Sequence, residues 1–370
     1  MFGPRHYVPI LRWKQAERFA LQFLREEDRK NITPLIEITP RVFDAPEKGK
    51  RQDKKPDPGE VLEDQAKKLL ESWGNAPFLL DLGLVDASAT PVGGVRHPLA
   101  HIAETARNFR LSMIPVTALG RRDEYQTAVS DIVKQDGRGT CLRLFPREVL
   151  QPTFAKKVKS FLRRFELDES KVDLLLDYQT FAHDNPDLRS LLGRVPDLRA
   201  WRSLTFASGA FPMDLQRFPK GWTRVVREDW LSWKAQFFDE TSVHSRTSFS
   251  DYTIQWGQYK EPVEYCNPSV SVRYTLEKEW LVLRGEAPGR KPTSKETERR
   301  PGLEQWYGHA QLLCENAEAF YGEHYSWGDN YIFEKSLRKG KPGGYETWLR
   351  AGINHHMTVV SRQLASLAVP

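Results

Sequence analysis

The sequence has little cysteine: three residues in 370, Cys141, Cys266 and Cys314, with no CxxC pair. An odd number of widely spaced thiols supports neither a disulfide framework nor a thiolate zinc site. No run approaches the ~18 apolar residues of a membrane span, and the N-terminal stretch lacks the apolar core of a signal peptide. We therefore expect a cytoplasmic protein in a reducing compartment, without a membrane partner.

The sequence also lacks the common nucleotide and hydrolase motifs. Neither GxGxxG nor GxxxxGK[ST] follows any strand-like run, which disfavours the usual nucleotide-binding folds. No HExxH motif occurs and no HxH follows the first strand, so a histidine-based zinc hydrolase is unsupported. The GxSxG elbow of serine hydrolases is missing too.

Short apolar runs alternate with helix-like segments along the chain. Near-continuous apolar runs are typical of parallel strands that are buried on both faces. Eight runs fit this description and are predicted as strands: 7–12, 32–38, 78–82, 112–118, 140–145, 172–178, 203–207 and 252–256. Between them, stripes such as Val158, Phe161, Leu162 and Phe165 have the spacing of an amphipathic helix.

Eight alternating strands and helices predict an α/β fold, a (β/α)8 TIM-like barrel, over residues 1–265, since such barrels take roughly 250 residues. An open doubly wound sheet is the alternative. Residues 270–285 predict an antiparallel hairpin, and 303–363 are aromatic and helix-like. We expect 266–370 to form a C-terminal hairpin and helical appendage packed on the barrel. The charged, proline-bearing segments 41–60 and 285–301 predict mobile loops.

Four predicted strands each carry one charge where a buried strand normally has Val or Leu. These are Glu37 in PLIEIT, Asp81 in FLLDLG, Arg143 in TCLRLF and Asp177 in LLLDYQ. An unpaired charge is costly to bury. Because the working face of a (β/α)8 barrel lies at the C-terminal ends of its strands, we expect the four charges to converge there.

Two interpretations of this cluster stay open. In the first, Glu37, Asp81 and Asp177 are catalytic acid or base groups, and Lys14 and Arg143 hold an anionic substrate. The same carboxylates would suit a hard divalent cation such as Mg²⁺. In the second, the cations simply neutralise the carboxylates in a structural network.

Further candidates for substrate binding follow the later strands. Ser208 and Gly209, in ASGAFP, lie where barrels often bind phosphate, although the segment equally suits an ordinary turn. Asp251 and Tyr252, in FSDYTI, complete the predicted substrate-binding set. The adjacent histidines in the segment AGINHHMTVV point about 100° apart on a helix, which favours packing or hydrogen bonding over chelation of one ion.

Several segments together resemble the bacterial and phage beta family of proteins: YVPILRWKQAERFAL, ITPLIEITP, FLLDLG, ASGAFP, FSDYTI, YSWGDNYI and WLRAGINHHM. The resemblance spans nearly the whole chain. It implies a role linked to phage or to antiviral defence, by association only. It transfers no catalytic residues, but its matching positions overlap the strand-end candidates.

The leading hypothesis is a barrel that binds a phosphorylated or nucleic-acid ligand at the C-terminal ends of its strands. If the protein is an enzyme, we expect it to hydrolyse that ligand. The net charge of +6 permits anionic partners without requiring them. One alternative is a non-catalytic sensor or protein-binding component of a defence system. Another is plain nucleic-acid binding through the basic loops.

Overall fold

The computed structural model describes residues 2–44, 57–85, 97–185, 187–237, 247–261, 266–289 and 301–367. Its main sheet has eight parallel strands that neighbour one another in chain order: β1 (Ile10–Arg12), β2 (Leu35–Glu37), β3 (Phe78–Asp81), β4 (Met113–Thr117), β5 (Thr140–Leu144), β6 (Val172–Thr180), β7 (Ser203–Gly209) and β9 (Thr247–Ser250). Backbone hydrogen bonds from Val8 N to Phe249 O (3.0 Å) and from Ile10 N to Asp251 O (2.8 Å) join the last strand to the first. The predicted (β/α)8 barrel is confirmed.

The eighth barrel strand lies earlier in the chain than predicted. It is Thr247–Ser250, whereas the prediction placed it at 252–256. Asp251 ends the strand because its Oδ1 accepts the backbone N–H of Thr253 (2.9 Å). Thr253 has a φ of +58°, a left-handed conformation that departs from the extended backbone of a strand.

Helices surround the barrel. They are α1 (Gln15–Gln22), α2 (Glu26–Arg29), α3 (Pro58–Trp73), α4 (Pro98–Asn108), α5 (Asp123–Asp136), α6 (Pro146–Val149), α7 (Phe154–Phe165), α8 (Leu188–Leu192) and α9 (Glu228–Phe237). Local sequence sets their ends. Asp57 caps α3 by accepting the N–H groups of Gly59 and Glu60, and Gly137 ends α5 at a φ of +65°.

The predicted hairpin consists of β10 (Ser271–Thr275) and β11 (Glu279–Arg284). Sequence analysis missed its third strand, β8 (Gly221–Val226), which pairs antiparallel with β11. Three helices follow: α10 (Gln305–Glu315), α11 (Trp327–Ser336) and α12 (Tyr345–Ala365). Every residue of α12 from Ala351 to Ser361 is buried, as expected of a helix enclosed on all sides.

The two predicted mobile loops lie largely outside the described residues. Of the first, residues 41–43 belong to a short 3-10 helix, Pro40–Phe43, and residues 58–60 begin α3. Within the part of the chain that the structure describes, no helix combines the length and apolarity that a membrane crossing needs.

Candidate functional site

The inner wall of the barrel turns from apolar to charged at the C-terminal ends of the strands. A buried apolar cluster inside the barrel includes Ile10, Leu35, Leu79, Cys141 and Leu175. Side chains alternate between the two faces of a strand, so the residue two positions later also points inward. On these five strands those residues are Arg12, Glu37, Asp81, Arg143 and Asp177, all buried.

Arg143 is the centre of this charged layer. Its Nη1 donates to Glu37 Oε1 (2.7 Å) and to Asp81 Oδ2 (2.8 Å). Its Nε and Nη2 both donate to Asp177 Oδ2, at 2.8 and 2.6 Å. The structure therefore brings together the four residues whose lone charges predicted convergence, and the carboxylates close around a guanidinium.

Tyr252 completes the central cluster. Its hydroxyl accepts a hydrogen bond from Arg143 Nη2 (2.8 Å) and donates to Asp177 Oδ2 (2.7 Å). Burial raises the pKa of the Tyr252 phenol well above its ordinary value, and the neighbouring Asp177 charge raises it further. The phenol therefore stays protonated and serves as a hydrogen-bond donor.

Two further arginines balance the three carboxylates. Arg121 Nη2 contacts both oxygens of Asp81, at 3.0 and 3.1 Å, and Arg12 Nε lies 3.7 Å from Glu37 Oε2. Burial acts to raise the pKa of Asp81, but Arg121 and Arg143 outweigh it and hold that pKa below its usual value. Asp81 is therefore charged at neutral pH, which makes it a poor proton donor.

The three carboxylates do not form a metal site. Arg143 occupies the space between them that a magnesium ion would need. Over the described ranges, no group of three or more Asp, Glu, His or Cys side chains has the arrangement to hold an ion. The carboxylates of this layer already have the Arg143 guanidinium as their shared counter-ion.

One carboxylate oxygen of the layer has no hydrogen-bond donor among the described residues: Oε2 of Glu37. Thr39 Oγ1, two positions further along the chain, and Nε of Arg12 and of Arg121 are also buried without a partner. Buried polar groups are normally hydrogen-bonded. Four unsatisfied groups thus lie at the C-terminal ends of β1, β2 and β4.

Cations gather on the side of the barrel end next to β1. Lys14 Nζ and the Arg12 guanidinium each lie 5.8 Å from the ring of Tyr259. Burial lowers the pKa of Lys14; Glu17 acts to raise it, and the nearby charges of Arg12 and Arg41 lower it further. Lys14 and Arg41 form no ion pair with any described residue. We call Arg12, Lys14 and Arg41 the basic edge.

Ser208 lies apart from the charged layer, because it alternates with the inward-facing residues of β7. Its side chain is fully buried on the outer face of the barrel, in the wall of a cavity shared with α8 and α9. Gly209 faces inward instead. A Cβ atom there would lie 3.1 Å from the ring of Tyr252 and 3.2 Å from Gln179 O, so it provides space rather than a phosphate cradle.

Asp251 also points away from the barrel interior. Its Oδ2 accepts a hydrogen bond from His356 Nε2 of α12 (2.8 Å), and its Oδ1 accepts one from Tyr7 OH (2.5 Å). The neighbouring His355 lies between Asp329 Oδ2 and Thr275 O, at 2.8 Å from each. Both histidines are hydrogen-bonding residues, as the sequence predicts: His356 joins α12 to the barrel, whereas His355 joins α12 to α11 and β10.

A model of the beta protein family matches residues 7–362. The chain belongs to the beta protein family. Among curated proteins the chain has no match. The match to the family model covers the charged layer, the basic edge and α12 as far as Arg362.

Solved structures show only distant similarity to this beta protein family member. They include a GH138 enzyme targeting pectin rhamnogalacturonan II, with 10% identity, a TM-score of 0.37 and coverage of 85% of this chain and 42% of that chain. A glucosidase from Croceicoccus marinus has 11% identity, a TM-score of 0.27 and coverage of 60% and 42%. SacUVDE has 9% identity, a TM-score of 0.32 and coverage of 68% and 93%. The chain spans less than half of the first two, and no functional argument follows from these scores.

Three residues of the site were missed from sequence. Arg121 follows β4 by four positions, in the doublet RR after a glycine, and strand-end position was the available signal. Arg41 follows β2 by four positions, so strand-end position was the available signal for it too. No sequence feature pointed to Tyr259 as a site residue, because it lies beyond the predicted end of the eighth strand.

Proposed function

We propose that the C-terminal end of the barrel binds an anionic ligand that carries phosphate, either a phosphorylated small molecule or a nucleic-acid strand. The observation that supports this proposal is the basic edge. Lys14 and Arg41 form no ion pair with a described carboxylate. Burial is the main cause that lowers the pKa of Lys14; the Glu17 charge acts to raise it, and the nearby charges of Arg12 and Arg41 lower it further. Like charges held together repel, and a bound anion would relieve that repulsion.

The charged layer supports the basic edge in this proposal. Glu37 lies 3.7 Å from Arg12, and Asp81 is hydrogen-bonded to Arg121. Carboxylates that hold guanidinium groups in place preorganise them for a ligand. Asp81 and Asp177 thus act as positioning residues, and Arg143 ties them into one unit.

Glu37 is the one carboxylate of the layer with an oxygen still available for chemistry. Its Oε1 is bonded to Arg143 Nη1, whereas Oε2 accepts no hydrogen bond from a described residue. A carboxylate oxygen beside a bound phosphate can take a proton from an attacking water. If the protein hydrolyses its ligand, we assign the general-base role to Glu37.

Binding is tested by isothermal titration calorimetry with inorganic phosphate, adenosine monophosphate and a short single-stranded DNA as separate probes. The double variant Lys14→Ala/Arg41→Ala should lower the affinity for the tightest-binding probe by about tenfold or more, since two charge-assisted contacts are lost. Lys67→Ala/Arg138→Ala removes the same charge from exposed positions outside the site. Equal weakening by both double variants would reduce the effect to net charge and refute the site.

Salt distinguishes the two ligand classes. A nucleic-acid strand releases counterions from several phosphates, so its affinity falls steeply between low and moderate salt. A single phosphate group produces a much shallower dependence. An affinity for the DNA probe that barely changes with salt would rule out the nucleic-acid form of the proposal.

Hydrolysis is tested separately with Glu37→Gln. This variant should keep affinity for the probe within a few-fold and abolish any turnover that the wild-type protein shows. Turnover that persists in Glu37→Gln would remove the assigned base, while binding without wild-type turnover would leave a non-catalytic receptor.

The second candidate function is a non-catalytic sensor or protein-binding component. It is favoured by the closure of the layer: Asp81 and Asp177 are held by arginines, and Tyr252 is hydrogen-bonded to both Arg143 and Asp177. A phage-defence role is a prediction from the family resemblance. Plaque counts on a host that carries the gene, compared with a host carrying the Lys14→Ala/Arg41→Ala version, would test it.

A further inference from the structure

A second cavity lies behind the barrel wall, away from the basic edge. It has a volume of about 260 Å³ and lies between β6, β7, α8 and α9. This is just below the roughly 300–1,000 Å³ of sites for drug-sized ligands. The space therefore suits a small ring system.

Two buried polar atoms in this cavity have no hydrogen-bond partner among the described residues. They are the hydroxyl of Ser208, whose side chain is fully buried, and Oε1 of Gln236. A buried polar group without a partner destabilises the folded state, so native proteins rarely keep two in one wall without a ligand or water to satisfy them.

The two unpartnered groups differ: the Gln236 amide oxygen only accepts hydrogen bonds, whereas the Ser208 hydroxyl can accept and donate. Gln236 Nε2 already donates to Ser232 Oγ (3.2 Å), and Asn185 Nδ2 donates to Thr180 O (3.0 Å). Gln236 Oε1 therefore requires an N–H or O–H donor on the ligand, and the Ser208 hydroxyl can accept from a second donor.

The aromatic rings and the charge of the cavity wall restrict the class of ligand further. The cavity wall contains Tyr178, Phe181 and Phe206, and the rings of Tyr178 and Phe206 pack edge to face at 5.3 Å. Aromatic walls favour planar ligands through stacking. Asp187 also lines the cavity, and neither Lys nor Arg appears among its described lining residues, which disfavours phosphate.

We propose that this cavity binds a planar heterocycle that carries N–H donors and no phosphate, as in a free nucleobase with an exocyclic amine. Ser208 Oγ and Gln236 Oε1 accept its N–H groups, and the aromatic side chains enclose its ring. The proposal does not depend on the function proposed for the barrel end, because Ser208 faces the opposite side of β7.

The test uses adenine as the probe and the full-length protein, with binding followed by calorimetry. Ser208→Ala and Gln236→Leu should each lower the affinity for adenine about tenfold or more. The control Ser366→Ala, at a distant position after α12, should leave the affinity unchanged. N6,N6-dimethyladenine, which lacks the exocyclic donors, should bind about tenfold more weakly than adenine.

Three results would overturn the proposal: no saturable adenine binding, equal adenine affinity in Ser208→Ala, or equal affinity for the dimethylated base. The double variant Lys14→Ala/Arg41→Ala should bind adenine like the wild type. If that variant loses adenine as well as phosphate, the base binds at the barrel end and the cavity is not its site. Thermal unfolding of each variant confirms that it is folded.

Discussion

Arg143 contacts one oxygen of Asp177 through two of its nitrogens, Nε at 2.8 Å and Nη2 at 2.6 Å. Tyr252 OH donates to that same oxygen at 2.7 Å. Three donors on one buried carboxylate oxygen fix the orientation of the guanidinium, and its remaining nitrogen, Nη1, is left to hold Glu37 and Asp81. The centre of the barrel end is thus an ionic unit whose parts depend on one another.

Replacing Arg143 by Met should destabilise the protein severely. The substitution leaves Glu37, Asp81 and Asp177 buried without their shared cation, and breaking a buried ion pair costs about 3–5 kcal/mol. The free energy of unfolding in urea measures the effect. Arg147 lies at an exposed position in α6, just after the C-terminal end of β5. Arg147→Met should change the free energy of unfolding by no more than about 0.5 kcal/mol. A loss of similar size in both variants would show that the layer is solvated.

Much of this layer was predictable from sequence, because a charge inside an apolar strand run has few places to go. The runs around Glu37, Asp81, Arg143 and Asp177 predicted the strands. The cost of burying charge then predicted that the four side chains would meet. The closure of the carboxylates around one arginine does not follow from the sequence, because strand position does not determine which cation is central.

Other parts of the site depend on contacts that sequence spacing does not encode. Asp251 and His356 are 105 positions apart and meet only because α12 packs beside the barrel. Ser208 was assigned to the barrel end, but the direction of its side chain depends on the pleat register of β7. Sequence reasoning thus places candidate residues near strand ends, but it does not determine on which face of the strand a residue such as Ser208 lies.

Acid should unfold the protein partly through Asp81. Burial acts to raise its pKa, but Arg121 and Arg143 hold it below the ordinary value of 3.8. The folded state therefore binds that proton less readily than the unfolded state. The stabilisation it contributes is fully present above the unfolded pKa and is lost as pH falls through the lowered folded pKa.

Arg121→Gln tests this relationship. The variant brings the pKa of Asp81 back toward that of the unfolded chain, so it should lose less stability than the wild type between about pH 5.5 and about pH 3. Urea unfolding at the two pH values gives the difference. Arg147→Gln should behave like the wild type, and an Arg121→Gln profile parallel to the wild type would contradict the assignment.

His356 and Asp251 should be energetically coupled. Burial lowers the pKa of His356, so its ring is neutral and donates from Nε2 to Asp251, while Thr275 Oγ1 lies 2.9 Å from its Nδ1. His356→Leu leaves a buried carboxylate with one donor fewer and should cost about 3 kcal/mol or more.

A double-mutant cycle measures the coupling. Asp251→Asn removes the charge, so His356→Leu should cost less in that background, with an interaction energy of about 0.5–3 kcal/mol. The four proteins are compared by urea unfolding at one pH. Strictly additive losses would mean that the contact between α12 and the barrel contributes nothing as a pair.

Gly257→Ala should disturb both stability and ligand binding. A Cβ atom at Gly257 would lie 1.6 Å from Gln179 O, a backbone atom that cannot swing aside, and Gln179 is already held at a φ of +61°. Overpacking of this kind typically costs about 1–3 kcal/mol. Gly257 O accepts a hydrogen bond from Arg12 Nη2 (2.7 Å). A shift of the Gly257 backbone should therefore also move Arg12, which belongs to the basic edge, and lower the affinity for phosphate.

Gly308→Ala is the matched control for this prediction. A Cβ atom there meets nothing within 4 Å, and Gly308 lies inside α10, so the change should stabilise the protein by up to about 1 kcal/mol. Urea unfolding and phosphate titration are carried out on both variants. Full phosphate affinity in a destabilised Gly257→Ala protein would separate the packing role of this glycine from the ligand site, and would remove Arg12 from the proposed contacts.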